Sequence, residues 1–165
     1  MPNWKKLFVE SNIPKKLAPL KELSKNLWWV WNTETRGLFA KIDEEVWEEC
    51  AHNPIVLLEQ VSYQRFKELE GDKDFMAEME AVYAQLQDYL KDREERIGPS
   101  IAYFSMEYGL HDSLKIFSGG LGILAGDYLK EASDSKANLV AVGLLYRYGY
   151  FKQTISLQGD QMANY

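Results

Sequence analysis

"FSGGLGILAGD", residues 117–127, places four glycines in eleven residues and then continues as the opening of a helix. A glycine-rich entry lets backbone N–H groups come close to a ligand, and those groups together with the helix dipole favour an anion such as phosphate. The competing reading is a tight turn that needs positive φ values and close backbone packing. On the glycines alone both readings stay open.

The flanks decide the fold around this stretch. "IAYFSM" (residues 101–106) and "LVAVGLLY" (139–146) are dense apolar runs of strand length, of the kind buried on both faces of a parallel sheet. Between them Leu121, Leu124, Tyr128, Leu129 and Ala132 mark a helix that opens at the glycines. Strand, loop, helix and strand make a βαβ unit, expected to be right-handed. "YRYGYFKQTIS" (146–156) reads as a hairpin turning at Gly149. Two parallel strands and a hairpin do not complete a doubly wound sheet, so the chain reads as a piece of a longer protein.

Upstream of "RIGPS" (96–100) the pattern is helical. Leu20, Leu23, Leu27 and Trp31 fall at helix spacing, and Thr33 is placed to cap the next helix. Asp43 precedes Glu44 and Glu45, acids that suit a first helical turn. Asn53-Pro54 pairs a cap residue with proline at the first helical position. Phe75, Met79, Val82, Leu86 and Tyr89 form one apolar stripe on a helix ending near Arg96, which Gly98-Pro99 then breaks. Two heptads are too few for a coiled coil, so the stripe reads as core.

Composition narrows the function. The 165 residues are 46% hydrophobic and 27% charged, values of an ordinary globular protein, and suffice for one or two domains. A net charge of −6, with only short lysine pairs such as Lys5-Lys6 and Lys15-Lys16, argues against a nucleic-acid partner. Cys50 is the one cysteine, and His52 and His111 the only histidines, so neither a disulfide framework nor a structural metal site is expected. No signal-peptide core and no run of membrane-span length is present, and a cytoplasmic setting with no membrane partner is expected. His52, beside Asn53-Pro54, reads as a capping or surface residue.

Three chemistries compete for the glycine stretch. A P-loop fails, because no Lys-Ser or Lys-Thr follows the glycines. Gly120, Gly122 and Ala125 satisfy a dinucleotide fingerprint, but about a dozen residues separate Met106 from Gly119, where the fingerprint wants immediate succession. The end of the second strand also lacks its acidic residue; Leu145, Tyr146 and Arg147 stand there. The third reading is an anion site at the carboxyl end of a parallel strand, where open α/β sheets bind ligands. "EYGLHDSLKIFS" (107–118) would cover the same crevice and supplies Glu107, His111, Asp112 and Lys115 for sugar hydroxyls and phosphate oxygens. Each has a plainer reading: a turn cap for His111, a solvated Lys115, a surface carboxylate at a strand end for Glu107.

"YFSMEYGLHDSLKIFSGGLGILAGDYLKEASD", followed by "LVAVGLLYRYGYFKQ", closely resembles the start of the catalytic region of the α-glucan (glycogen/maltodextrin) phosphorylases. "NLWWVWN" (26–32) and "HNPIVLL" (52–58) are similar to the N-terminal extension of their bacterial and archaeal branch. The resemblance implies an α/β fold behind an all-helical part: a helical extension over residues 1–97, then from 98 to 165 the first βαβ unit of a Rossmann-like half of a GT-B glycosyltransferase. It implies phosphorolysis of a terminal α-1,4 glucosyl unit to glucose 1-phosphate with retained configuration, and pyridoxal phosphate as cofactor. It assigns substrate and phosphate binding to Gly119, Gly120, Leu121 and Gly122, with Glu107 lining the same cleft; His111 joins these candidates from its place in the 107–118 segment. The partners it implies are α-1,4-glucan and phosphate; a homo-oligomer is left open. The lysine that forms the Schiff base has no counterpart in this chain, and neither Lys130 nor Lys152 fits that role, so the piece alone is expected to be inactive.

Two rivals remain. A nucleotide-sugar glucan synthase also uses a glycine-rich loop here, but a lysine is expected two residues before the paired glycines, where this chain has Phe117 and places Lys115 two earlier. A non-catalytic glucan-binding module would need Trp28, Trp29 and Trp31 exposed for stacking, whereas their placement among Leu23, Leu27 and Val30 reads as packing.

Overall fold

A computed structural model describes residues 13–147 and 150–164, which divide into two compact units, Met1–Asp88 and Tyr89–Tyr165. The division falls inside the longest helix.

The first unit is helical. Short 3-10 turns at Lys15–Leu17 and Leu27–Val30 flank α1 (Pro19–Lys25), followed by α2 (Thr33–Ile42), α3 (Glu44–Glu49), α4 (Pro54–Gln60), α5 (Tyr63–Gly71) and the first part of α6 (Lys73–Asp92). Local capping chemistry sets most of these starts. Asp43 accepts from Val46 N–H at 3.1 Å, and Asn53 accepts from the amides of Ile55 and Val56 with Pro54 at the first helical position. The cap of α2 is Asn32 rather than Thr33: Asn32 Oδ1 accepts from both Thr35 N–H at 2.8 Å and Thr35 Oγ1 at 2.7 Å. Leu20 to Trp31 is not one continuous helix either. Asn26 leaves helical geometry and caps the following 3-10 turn, its Oδ1 accepting from Trp28 N–H at 3.0 Å.

An aromatic cluster fills the middle of this unit. Trp29 meets Phe39 edge-on at 6.3 Å, and Phe39 stacks on Trp47 at 5.7 Å. Trp28 and Trp29 are buried, as are Phe75, Met79, Val82 and Leu86 along α6. The α6 stripe is therefore core as far as Leu86, whereas Tyr89, half-buried, bonds through its hydroxyl to Ser133 and Asp134; Trp28 and Trp29 present no face to a glucan.

The second unit holds the βαβ. β1 (Ile97–Phe104) and β2 (Ala137–Val142) pair in parallel, Ile101 with Leu139 through Phe104 with Val142, and α7 (Gly120–Asp134) runs between them. β1 starts four residues earlier than the apolar run indicates. Gly98, at φ +85°, and Pro99 sit where its register shifts, since proline has no N–H to give a ladder. The last turn of α6 is fastened to the end of α7: Arg93 Nε donates to Ser133 O at 2.7 Å, and its guanidinium lies 3.2 Å from the Tyr89 ring centre.

β3 (Lys152–Ile155) and β4 (Gln161–Asn164) form an antiparallel hairpin. Its turn runs through residues 156–160, with Gly159 at φ +89° and Ser156 N–H donating to Asp160 O at 2.8 Å. The expected turn residue Gly149 lies outside the described residues. Lys152 to Ile155, inside the 146–156 stretch, supplies the first strand of this hairpin, and its partner is β4.

Among the described residues, the strands of the βαβ are not covered on both faces. Phe104 is 72% exposed and Val140 62%. Ile101, Tyr103, Leu124, Tyr128 and Leu139 line an open apolar groove of about 290 Å³ between sheet and helix.

Candidate functional site

The site is built at the carboxyl end of β1, where residues 105–118 lead into α7. Gly119 takes the N-cap position in extended geometry, φ −152°, and contributes no side-chain cap. Ile123 N–H closes the first turn on Gly119 O at 3.2 Å. The amides of Gly120, Leu121 and Gly122 stand ahead of it, where a helix has no carbonyl one turn behind to receive them.

The four glycines of residues 117–127 serve two different ends. A Cβ on Gly122 would lie 2.5 Å from Phe117 Cβ and 2.9 Å from Glu107 Oε2, and one on Gly126 would overlap the Gly109 carbonyl. Those two are glycine because the 105–118 segment is packed against the first two turns of α7. A Cβ on Gly119 or Gly120 would meet nothing within 4 Å. Neither has a positive φ; in the described residues the positive-φ glycines are Gly98 and Gly159. The tight-turn reading therefore does not account for Gly119 and Gly120, whose bare surface faces open space.

Glu107 belongs to this helix entrance. Its Oε2 accepts from Ser118 N–H at 3.2 Å and its Oε1 from Ser118 Oγ at 3.0 Å. The Ser118 amide first, then the Ser118 hydroxyl and the amides of Gly119 and Gly122, hold its carboxyl below the usual glutamate range. A negative charge is thus already stabilised by donors at the start of α7.

His111 is tied within its own turn. Ser113 N–H donates to His111 Nδ1 at 3.1 Å, and the Ser113 hydroxyl is 2.9 Å from the same nitrogen. Asp112 and Lys115 are exposed. The glycines and Glu107 are thus brought together at one helix entrance, while His111 makes the turn cap foreseen as its plainer role.

Three residues that sequence reasoning passed over complete the arrangement. Ser118 is the partner of Glu107. Gly109 gives its N–H to Gly122 O at 2.7 Å. Tyr108 Oη donates to Tyr103 O at 2.6 Å, and its ring lies 2.8 Å from where a Cβ on Gly143 would stand. Gly126, a glycine inside a helix, was the available sign of close backbone approach.

Pyridoxal phosphate would need a lysine held out of water to form its imine. No described lysine is buried. Lys130 Nζ is paired with Asp127 at 3.3 Å, and Lys152 is exposed on β3. The residues present do not fit that attachment.

The amino-acid sequence has clear relatives. Residues 13–114 match the family described as "Protein of unknown function (DUF3417)", and the chain belongs to that family. It is 43% identical over 169 aligned residues to a glycogen phosphorylase of Mycobacterium tuberculosis, covering 95% of this chain and 20% of the relative. It is 42% identical to a maltodextrin phosphorylase of Thermococcus litoralis, over 93% of this chain and 19% of the relative. A glycogen phosphorylase of Aquifex aeolicus is 42% identical over 85% of this chain and 20% of its own length. The chain is thus homologous to the N-terminal region of glycogen and maltodextrin phosphorylases, and spans about a fifth of the length of these relatives. No solved structure is significantly similar to it.

Proposed function

We propose that this chain is the N-terminal part of an α-glucan phosphorylase, a cytoplasmic enzyme that transfers the terminal α-1,4-linked glucosyl unit of a glucan to orthophosphate. Residues 1–97 are then a helical extension, and residues 98–165 open the first Rossmann-like half of a GT-B fold. The observation that carries this reading is the pair Gly119 and Gly120. Two glycines that neither φ nor internal packing requires leave the amides of Gly120 and Leu121, beside the two that Glu107 already takes, open to close approach by a ligand. In phosphorolysis the C1–O bond of the terminal glucosyl unit breaks, a phosphate oxygen bonds to C1, and the freed glucan end takes up a proton. Fixed amide donors stabilise the phosphate charge at that stage without reorganising. His111 is assigned to the sugar hydroxyls.

The remaining chemistry, including the cofactor-bearing lysine, falls to polypeptide beyond these residues, so the 165-residue chain alone is inactive. The complete polypeptide that contains it should release glucose 1-phosphate from maltodextrin only when orthophosphate is supplied. Glucan extension from a nucleotide sugar, with no response to orthophosphate, would instead establish the synthase reading.

A further inference from the structure

We propose that Arg93 and Tyr89 form a conformational latch, which makes the last turn of α6, the last turn of α7 and the start of β1 open and close as one unit. Closed, the latch keeps residues 89–92 helical. Open, it turns residues 89–96 into a linker beside the division between the two units.

The last carbonyls of a helix have no amide one turn ahead to bond, and a cation near them also meets the negative end of the helix dipole. Both α6 and α7 end in this way, and one guanidinium serves both. In α6 the Arg93 amide turns back to Leu90 O at 3.1 Å, three residues behind it. That leaves Tyr89 O to the side chain, whose Nη1 donates to it at 3.0 Å. In α7 the fork spans two successive carbonyls, with Nε on Ser133 O at 2.7 Å and Nη2 on Asp134 O at 3.2 Å. Three carbonyls on two helices thus share one planar group. A lysine, one nitrogen on a flexible stem, cannot reproduce that geometry. The Arg93 side chain is only 16% exposed, so these bonds meet less competition from water than a surface ion pair does. Tyr89 reinforces them from both ends of its ring. The guanidinium lies 3.2 Å from the ring centre, and the phenol donates to Asp134 Oδ1 at 2.6 Å. With its single proton placed there, the phenol accepts from Ser133 Oγ at 2.7 Å. The tie continues into the sheet through Lys136, at φ +58°. Its amide closes on Ser133 O at 3.2 Å, its Nζ reaches Asp92 at 2.5 Å, and its carbonyl accepts from Ile97 N–H at 2.8 Å, where β1 begins. Residues 93–96 are the whole connection from α6 to β1, so movement at one end is passed to the other.

The test is amide hydrogen exchange on the 165-residue chain and on its Arg93→Lys and Tyr89→Phe variants. The reporters are amides bonded within the three ends: Arg93 and Glu94 after α6, Ser135 and Lys136 after α7, and Ile97 at the start of β1. In the wild type these five should be protected and exchange through one common opening. Arg93→Lys, which keeps the charge, should speed all five by at least about tenfold, the scale of one hydrogen bond to a charged group. Tyr89→Phe, which keeps the ring under the guanidinium, should speed the same five as well. Val82 and Leu129, in the bodies of α6 and α7, should keep their wild-type rates. Acceleration confined to Arg93 and Glu94 reduces Arg93 to a cap of α6 and overturns the latch. Five unrelated rates in the wild type, or equal exchange in wild type and Arg93→Lys, overturn it too. Equal acceleration of Val82 and Leu129 would show a loss of the whole fold rather than a local opening, and also contradicts it. If Arg93→Lys does not fold, Tyr89→Phe decides by the same outcomes.

Discussion

The carbonyl of Gly109 occupies the space where a side chain on Gly126 would begin, so the loop after β1 lies flush against α7. Gly126→Ala should therefore destabilise the second unit by about 2 kcal/mol, the usual cost of forcing extra volume into a packed contact. Gly120→Ala, whose Cβ meets nothing within 4 Å, should change stability by no more than about 0.5 kcal/mol. Urea unfolding followed on the amide signals of α7 separates the two. Equal effects would contradict the division of the glycines into packed and open ones.

In the helical unit, Phe39 is wedged between Trp29 and Trp47 and fully buried. Phe39→Ala should cost about 3–5 kcal/mol. Tryptophan emission of the intact chain should be blue-shifted and indifferent to maltodextrin, and Phe39→Ala should shift it to the red. Quenching by maltodextrin would revive the glucan-binding module.

Asp92 accepts from Lys136 Nζ at 2.5 Å, and this bond, reinforced by Arg93, holds its carboxyl below the ordinary aspartate value. A depressed folded value makes the stabilisation complete above the unfolded aspartate value and removes it as pH falls through the lower, folded one. The thermal midpoint should fall as the wild type is acidified through this range. Asp92→Asn should lower the midpoint at neutral pH and flatten its acid decline. An unchanged acid limb in Asp92→Asn would show that the pair contributes nothing. Solvent exposure keeps the effect small.

The open faces of β1 and β2 carry Phe104 and Val140. A two-stranded sheet with both edges unpaired templates further pairing, so the chain should self-associate with rising concentration. Phe104→Lys should shift sedimentation toward the monomer. A wild type that stays monomeric at every concentration would contradict this.

Legibility followed sequence distance. Asp43 and Asn53-Pro54 could be read because a cap and its amides lie within three residues of each other. Asn26 could not, because Leu20, Leu23, Leu27 and Trp31 keep helical spacing across a break, and the competing Asn26–Trp28 bond leaves no mark on periodicity. The helix start at Gly119 was legible, and so was the parallel pairing of β1 with β2. The two kinds of glycine were not separable, since the difference lies in what stands opposite each: Phe117, Glu107 and Gly109 for two of them, open space for the others. Glu107 and Ser118 are eleven residues apart in a loop, where no period connects partners. The apolar character of β1 and β2 spoke for burial on both faces, and nothing among the described residues supplies the covering layers.

The bare edge of Gly119-Gly120 is proposed to serve phosphate during glucan phosphorolysis. The most direct test is orthophosphate-dependent release of glucose 1-phosphate from maltodextrin by the complete polypeptide, wild type against Gly120→Ala. The wild type should release glucose 1-phosphate, and the variant, its fold intact, should lose at least about tenfold in kcat/KM, because the added methyl group would meet the ligand instead of the protein. No release by a folded wild type, or an undiminished Gly120→Ala enzyme, would contradict it.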